Sequence, residues 1–262
     1  MDAGLGGKTF LITGAGGGIG SATARELAAC GARLVLHYNN SQSQAEALAT
    51  ELDGTTVQAD LRREEGNDSM FATALGQHPR IDGIVVNAGI WEFEDVPLHS
   101  LSLDQWRMTL ESNLTSAFLT CRGFLRHLQE QPRESASIVL VASTAAMFGE
   151  AGHADYAAAK AAMAYGLTRS LKNEIINLAP LGRVNCVCPG WTDTPMAEAA
   201  MTIHDSQAKA LQTVPLAKIG QPEDVARSIA FLCSERLAGH VTGAVFPIAG
   251  GMEGRILHDN LR

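Results

Sequence analysis

The sequence predicts an α/β protein: a doubly wound parallel sheet of about seven strands with helices on both faces, built as a single Rossmann-type domain. Three observations predict it. Short β-branched apolar runs alternate with longer stretches of helical period. A glycine-rich turn joins the first such run to the first helix. The chain has 262 residues, 46% of them hydrophobic and 18% charged, enough to bury a large core and too ordinary in charge for disorder.

Strands are expected at 8–13 (KTFLIT), 32–37 (ARLVLH), 55–59 (TTVQA), 82–87 (DGIVVN), 137–142 (SIVLVA), 182–188 (GRVNCVC) and 243–248 (GAVFPI). Strands joined through crossover helices are buried on both faces, so they read as continuous apolar runs. Helical period fills the gaps at 22–30, 43–52, 68–76, about 101–130, about 154–178 and 222–234. No repeat, linker or shift in composition divides the chain, so 1–262 is expected to be one domain. The stretch from Pro189 to about Gln221 lacks strand character and exceeds the ~12–15 residues of an ordinary loop, which predicts a substrate lid at about 190–221.

Charge narrows the partners. With 20 Lys and Arg against 28 Asp and Glu, the net charge is −8, and no basic run exists to track phosphates, so no nucleic-acid partner is expected. The amino-terminal stretch lacks the ~7–15-residue apolar run of a signal peptide, and nothing approaches the ~20 apolar residues of a membrane span. A cytoplasmic protein without a membrane partner is expected. The five cysteines (30, 121, 186, 188 and 233) form no C-x-x-C pair and read as reduced core residues, with no metal site.

The first strand runs into Thr13-Gly14-Ala15-Gly16-Gly17-Gly18-Ile19-Gly20 and then a helix. Glycines let the backbone approach a pyrophosphate, and the helix amino terminus offers free N–H groups and a positive dipole end. No Lys-Ser/Thr follows, which disfavours triphosphate hydrolysis. At the end of the second strand, where a carboxylate would grip the ribose hydroxyls of NAD, the chain reads His37-Tyr38-Asn39-Asn40-Ser41. Asn39, Asn40 and Ser41 could donate hydrogen bonds to a 2′-phosphate. No Arg stands in this turn, and Gly17 occupies a slot where a basic residue would help. NADP(H) is favoured, with NAD(H) the alternative.

Tyr156-Ala-Ala-Ala-Lys160 places two side chains four apart on one helical face. A free tyrosine, with a pKa near ~10, is a poor acid or base at neutral pH, and a neighbouring ammonium is expected to lower it. Ser143 closes the fifth strand, and Asn87-Ala88-Gly89 the fourth, at the carboxyl edge where doubly wound sheets bind ligands. Asn113 follows in the next helical stretch.

With these residues assembled, the chain resembles the short-chain dehydrogenase/reductase superfamily, above all its 3-oxoacyl-[acyl-carrier-protein] reductase-like group. The motifs stand in order: TGAGGGIG at 13–20, Asp60, NAG at 87–89, Asn113, Ser143, YAAAK at 156–160, PGWTDTPM at 189–196 and TGAVFPIAGG at 242–251. The resemblance implies hydride transfer between a nicotinamide and a carbonyl or secondary alcohol. It implies that Tyr156 passes the proton, Ser143 binds the reacting oxygen, Lys160 holds the ribose and lowers the tyrosine pKa, and Asn113 orders a water behind Lys160. It assigns Gly14, Gly18 and Ile19 to the pyrophosphate, with Gly16 and Gly17 in the same loop. Asp60 and Leu61 go to the adenine, Asn87, Ala88 and Gly89 to the ribose, and Pro189, Gly190, Thr192 and Thr194 to the carboxamide side. Tyr38 joins the contacts beside Asn39. A homotetramer paired through the helices at 113–130 and after Tyr156 is also implied.

The substrate is less legible. Trp91 and Trp191 either border it or pack against the lid; His153 either relays protons or is solvated. Met147, Phe148 and Glu150 fill the same loop and name no substrate. The helix after Lys160 ends Glu174-Ile175-Ile176-Asn177, with Arg169 and Lys172 earlier, so an acidic carrier lacks an evident basic landing patch. A small free carbonyl compound and an acyl thioester both stand as substrates. The alternatives are an NAD-dependent alcohol, sugar or steroid dehydrogenase, and a non-catalytic dinucleotide-binding regulator, whose mark would be loss of Asn113, Ser143, Tyr156 or Lys160.

Overall fold

The seven apolar runs become β1 (Thr9–Ile12), β2 (Arg33–Tyr38), β3 (Thr55–Gln58), β4 (Gly83–Val86), β5 (Ser137–Val141), β6 (Arg183–Pro189) and β7 (Val245–Ile248). In the computed structural model, which describes residues 2–201 and 211–252, they form one parallel sheet in the order β3-β2-β1-β4-β5-β6-β7. The order reverses at β1, where Leu11 pairs with Val35 on one side and Ile84 on the other. That reversal opens a crevice at the carboxyl edge.

The helices are α1 (Gly18–Ala29), α2 (Gln42–Leu52), α3 (Glu64–Gln77), α4 (Leu103–Leu110), α5 (Ser116–Glu130), α6 (Ala145–Phe148), α7 (Ala154–Ala161), α8 (Thr168–Glu174), α9 (Pro195–Met201), α10 (Pro222–Cys233) and α11 (Glu235–Ala238). Alternating strand side chains feed two cores. Leu11, Val35, Ile84, Ile138 and Leu140 pack on one face against Met70 and Phe71 of α3 and Phe124 and Leu128 of α5. Phe10, Ile12, Leu36, Val85 and Val139 pack on the other against Leu27 of α1, Leu48 of α2 and Ile229 of α10.

Two stretches that read as continuous helices are interrupted. A π-helical turn, Glu111–Thr115, separates α4 from α5 and carries Asn113; another, Ala162–Leu167, separates α7 from α8. Such turns re-aim a side chain without ending the helix. The 190–221 segment leaves and rejoins the sheet edge at one point. Asp193 N donates to Gly220 O (2.9 Å) and Gly220 N to Trp191 O (2.9 Å). Of the expected lid, residues 202–210 lie outside the described residues. Among the described residues, no helix is long and apolar enough to cross a membrane.

Candidate active site

A cavity of about 650 Å³ occupies the crevice at the carboxyl edge. Its floor is the glycine loop. Gly14 has φ +64°, and an added Cβ there would meet Ala88 Cα at 3.0 Å, so only glycine fits between the loop and the NAG segment. Thr13 Oγ1 accepts from Asn87 N (2.9 Å) and Ala88 N (3.0 Å), while Asn87 Nδ2 donates to Thr13 O (3.0 Å) and Gly14 O (3.1 Å). The α1 amino terminus opens onto the cavity at Gly18 with no acidic side chain in its first turn, which suits a pyrophosphate. At Gly18 a Cβ would lie 2.7 Å from Thr194 Cγ2, so the start of α1 and the lid base close on each other. A loop that a Cβ would fill, beside free helix N–H groups, fits a dinucleotide.

His37 supports this loop from below. Gly14 N donates to His37 Nδ1 (3.2 Å), which assigns the proton to Nε2, 3.0 Å from Ala59 O. Burial pushes its pKa down to about 4, against the weaker upward pull of the Ala59 bond. Below about 6.5 the unfolded chain takes up a proton that the folded chain refuses until about 4. Stability therefore falls across that window, by about 3 kcal/mol at its acid end. His37→Gln is expected to flatten this part of the profile in thermal melts between pH 7 and pH 4; an equal acid loss in both proteins would place the sensitivity elsewhere.

At the adenosine end the cavity is lined by Asn39, Asn40, Ser41, Asp60, Leu61 and Arg62. Arg62 grips Asp60 through Nε–Oδ1 (2.9 Å) and Nη2–Oδ2 (2.7 Å). That pair holds the carboxyl below its ordinary range. A basic group, absent from the β2 turn, thus stands at this end of the cavity in the turn after β3, paired with Asp60.

At the other end stand Ser143, Tyr156, Lys160 and Asn113, which the fold brings together on the cavity wall. Burial raises the Tyr156 pKa above its ordinary value, the Ser143 hydrogen bond opposes this, and Glu150 and Cys188 add to the rise. Among the protein's own groups, burial thus outweighs the lowering expected from a neighbouring ammonium. Lys160 Nζ donates to Val141 O (3.0 Å) and lies 5.6 Å from the Tyr156 ring centre, so it stands behind the ring. Burial in turn pushes the Lys160 pKa down to about 8.

Asn113 is fully buried in its π turn. Nδ2 donates to Ile90 O and Thr109 O (both 3.0 Å), and Oδ1 accepts from Ile90 N (3.3 Å). Both amide hydrogens are therefore engaged by protein, and the side chain shapes the loop against which Lys160 sits. Asp155 passed unnoticed in the sequence. Buried, it accepts from Thr109 Oγ1 (2.7 Å) and Tyr156 N (2.9 Å), tying α4 to the turn that presents Tyr156.

Most of the expected contacts line the cavity: Gly14, Gly17, Gly18, Ile19, Asn87, Ala88, Gly89, Pro189, Gly190, Thr192 and Thr194, with Trp91 and Trp191. Three residues are corrected. Gly16 is turned toward Ser41, whose side chain occupies the space a Cβ would need. Tyr38 is buried as the last residue of β2 and does not line the cavity. His153 is buried behind Trp91, its ring 5.0 Å away, with Nε2 3.0 Å from Asp95 Oδ1, so it is neither solvated nor on the cavity wall. Sequence reasoning also missed His37 and Arg62, which lie beside expected residues on the same wall.

The family model described as enoyl-(acyl carrier protein) reductase matches residues 14–253. A 3-oxoacyl-[acyl-carrier-protein] reductase of Synechocystis sp. is 36% identical over 94% of this chain and 96% of its own. Cis-4-hydroxycyclohexanecarboxylate dehydrogenase of Sinomonas cyclohexanicum is also 36% identical, over 93% and 96%. The crystal structure of a short-chain glucose/ribitol dehydrogenase from Brucella melitensis superposes with a TM-score of 0.86 at 35% identity, covering 96% and 98%. With the glycine loop, the crevice and the Ser-Tyr-Lys wall in place, these likenesses show that the chain belongs to the short-chain dehydrogenase/reductase family, as an oxidoreductase that uses a nicotinamide cofactor, NAD or NADP.

Proposed function

We propose that the chain reduces a ketone or 3-oxoacyl carbonyl with NADPH, Tyr156 giving the proton and Ser143 donating a hydrogen bond to the reacting oxygen. The observation that carries this reading is the meeting of Ser143, the half-buried Tyr156 and Lys160 on one wall of the cavity, with Lys160 Nζ 5.6 Å from the Tyr156 ring centre. A bound nicotinamide supplies the hydride, or accepts it in reverse. A phenol held neutral by burial is in its donating form. As charge develops on the substrate oxygen, Ser143 steadies it and Tyr156 releases its proton, while the Lys160 ammonium behind the ring offsets the phenolate charge. Lys160 also holds the ribose, and Asn113 orders the path by which the proton is restored.

The two substrate readings draw on the relatives: one is named for a 3-oxoacyl carrier substrate, the other for a ring hydroxycarboxylate. The preference for NADP(H) rests on the carboxylate-free end of β2 and on Arg62 at the same end of the cavity. NADPH is expected to bind more tightly than NADH, and Arg62→Ala to narrow the gap about tenfold, the loss of one charge-assisted hydrogen bond. Side-by-side fluorescence titrations check this; tighter NADH binding would shift the reading to an NAD-dependent dehydrogenase. Hydride transfer itself is tested by nicotinamide absorbance across ketones, sugars and 3-oxoacyl thioesters.

We also read the chain as one domain, with the segment returning at the Thr192–Gly220 bridge as its substrate lid. Pairing into a homotetramer is supported by two exposed rings, Phe118 on α5 and Tyr165 beyond α7, each under an arginine at 5.3 and 5.0 Å. A cytoplasmic setting agrees with five free cysteines.

A further inference from the structure

The cavity wall is uneven in charge. His37, Asp60 and Arg62 stand at the adenosine end, Tyr156 and Lys160 at the reacting centre, and Glu150 on the wall beyond, near Trp91 and Trp191. Among the described residues, no hydrogen bond holds the Glu150 carboxyl, although it is half-buried and close enough to Tyr156 to act on its charge. Its neighbours answer it only in part: His153, which acts favourably on its charge, is itself paired with Asp95 at 3.0 Å, and among the described residues no Lys or Arg other than Lys160 and Arg62 lines the cavity. Trp91 and Trp191 meet edge to face at 6.1 Å, giving the same region an apolar wall.

A half-buried acid on a ligand-cavity wall, its carboxyl held by no hydrogen bond among the described residues, suits a donor on the ligand. Resting on the hydride-transfer reading above, we propose that Glu150 selects the substrate: an uncharged carbonyl compound with an apolar face against the tryptophans and a hydroxyl, beside the reacting carbon, that donates to Glu150. A carboxylate brought to that place would set two acids together with no cation between them, which is discrimination by repulsion. The same wall disfavours an acidic acyl carrier, whose approach would also pass Glu92, Glu94 and Asp95, all exposed on the loop after Trp91. Burial raises the Glu150 pKa, with His153 opposing, and the acid accepts a hydroxyl hydrogen bond in either protonation state.

The test compares cyclohexanone, 2-hydroxycyclohexanone, 2-oxocyclohexanecarboxylate and a 3-oxoacyl thioester on acyl carrier protein. Each is assayed with NADPH on wild type, Glu150→Gln and Glu150→Leu. Wild type should favour the hydroxyketone over the carboxylate at least tenfold in kcat/KM, mostly through KM, as expected for one hydrogen bond to a charged group. Both variants should shrink that ratio, Glu150→Leu further, and melting curves with NADPH affinity report whether each is folded. A carboxylate or carrier-bound substrate handled as well as the hydroxyketone overturns the proposal and leaves hydride transfer standing, as does a ratio unchanged in both folded variants. Turnover of none of the four by wild type overturns this proposal too, while turnover of any compound in the wider panel of ketones, sugars and thioesters keeps the hydride-transfer reading apart from it.

Discussion

Replacing Tyr156 by Phe is expected to leave NADPH binding within a few fold of wild type and to lower kcat by about a thousandfold, the middle of the range for loss of a positioned acid. The substitution removes one oxygen. The ring keeps its place in front of Lys160 Nζ, 5.6 Å from its centre, and the Asp155 bond to the backbone at 156 is untouched, at 2.9 Å. What is lost is the hydroxyl beside Ser143 on the cavity wall and the proton it carries. Steady-state rates on any confirmed substrate, paired with a cofactor titration, check this. Near-normal turnover would remove Tyr156 from the chemistry; lost cofactor binding would mean that the phenol is structural.

Replacing Lys160 by Met is expected to inactivate the enzyme and make the fold more stable. Lys160 is buried, 4% exposed, and its pKa is pushed from 10.5 down to about 8. A lowered folded pKa means that the unfolded chain binds the proton more tightly. The charged ammonium therefore weakens the fold fully below about 8, and the penalty is relieved as pH climbs from about 8 toward 10.5. Those pKa values correspond to about 3 kcal/mol at pH 7. Losing the bond to Val141 O returns part of it. A net gain of about 2 kcal/mol should raise the melting temperature of the free protein by roughly 5 °C at pH 7, with the gain fading above pH 9. A lower melting temperature for Lys160→Met would show that the ammonium is a structural tie. The site would then carry no stored electrostatic strain.

The fold was legible because its signals are local. Strand positions follow from apolar runs, and the observed strands begin or end within a residue or two of the expected ones at most boundaries. The glycine loop and the Tyr156/Lys160 pair were legible for the same reason: a tight turn and a helical period are read from neighbours in sequence. The two π turns were not, since their sequences look helical throughout. Tyr38 was grouped with Asn39 as turn, although the strand runs one residue further and buries it.

The chain's own order of residues thus determined the doubly wound sheet, the place of the crevice at its carboxyl edge and the presence of Ser143, Tyr156 and Lys160 beside it. The tertiary structure decided what surrounds them. His37 reaches Gly14 across 23 residues, Asp155 reaches Thr109 across 46, and Arg62 and Glu150 arrive at the cavity from separate loops. Burial, which raised Tyr156 and lowered Lys160, is a property of the packed interior and has no counterpart in sequence spacing. Spacing says which groups share a face; only the closed fold says how much water they keep, and that sets their charge.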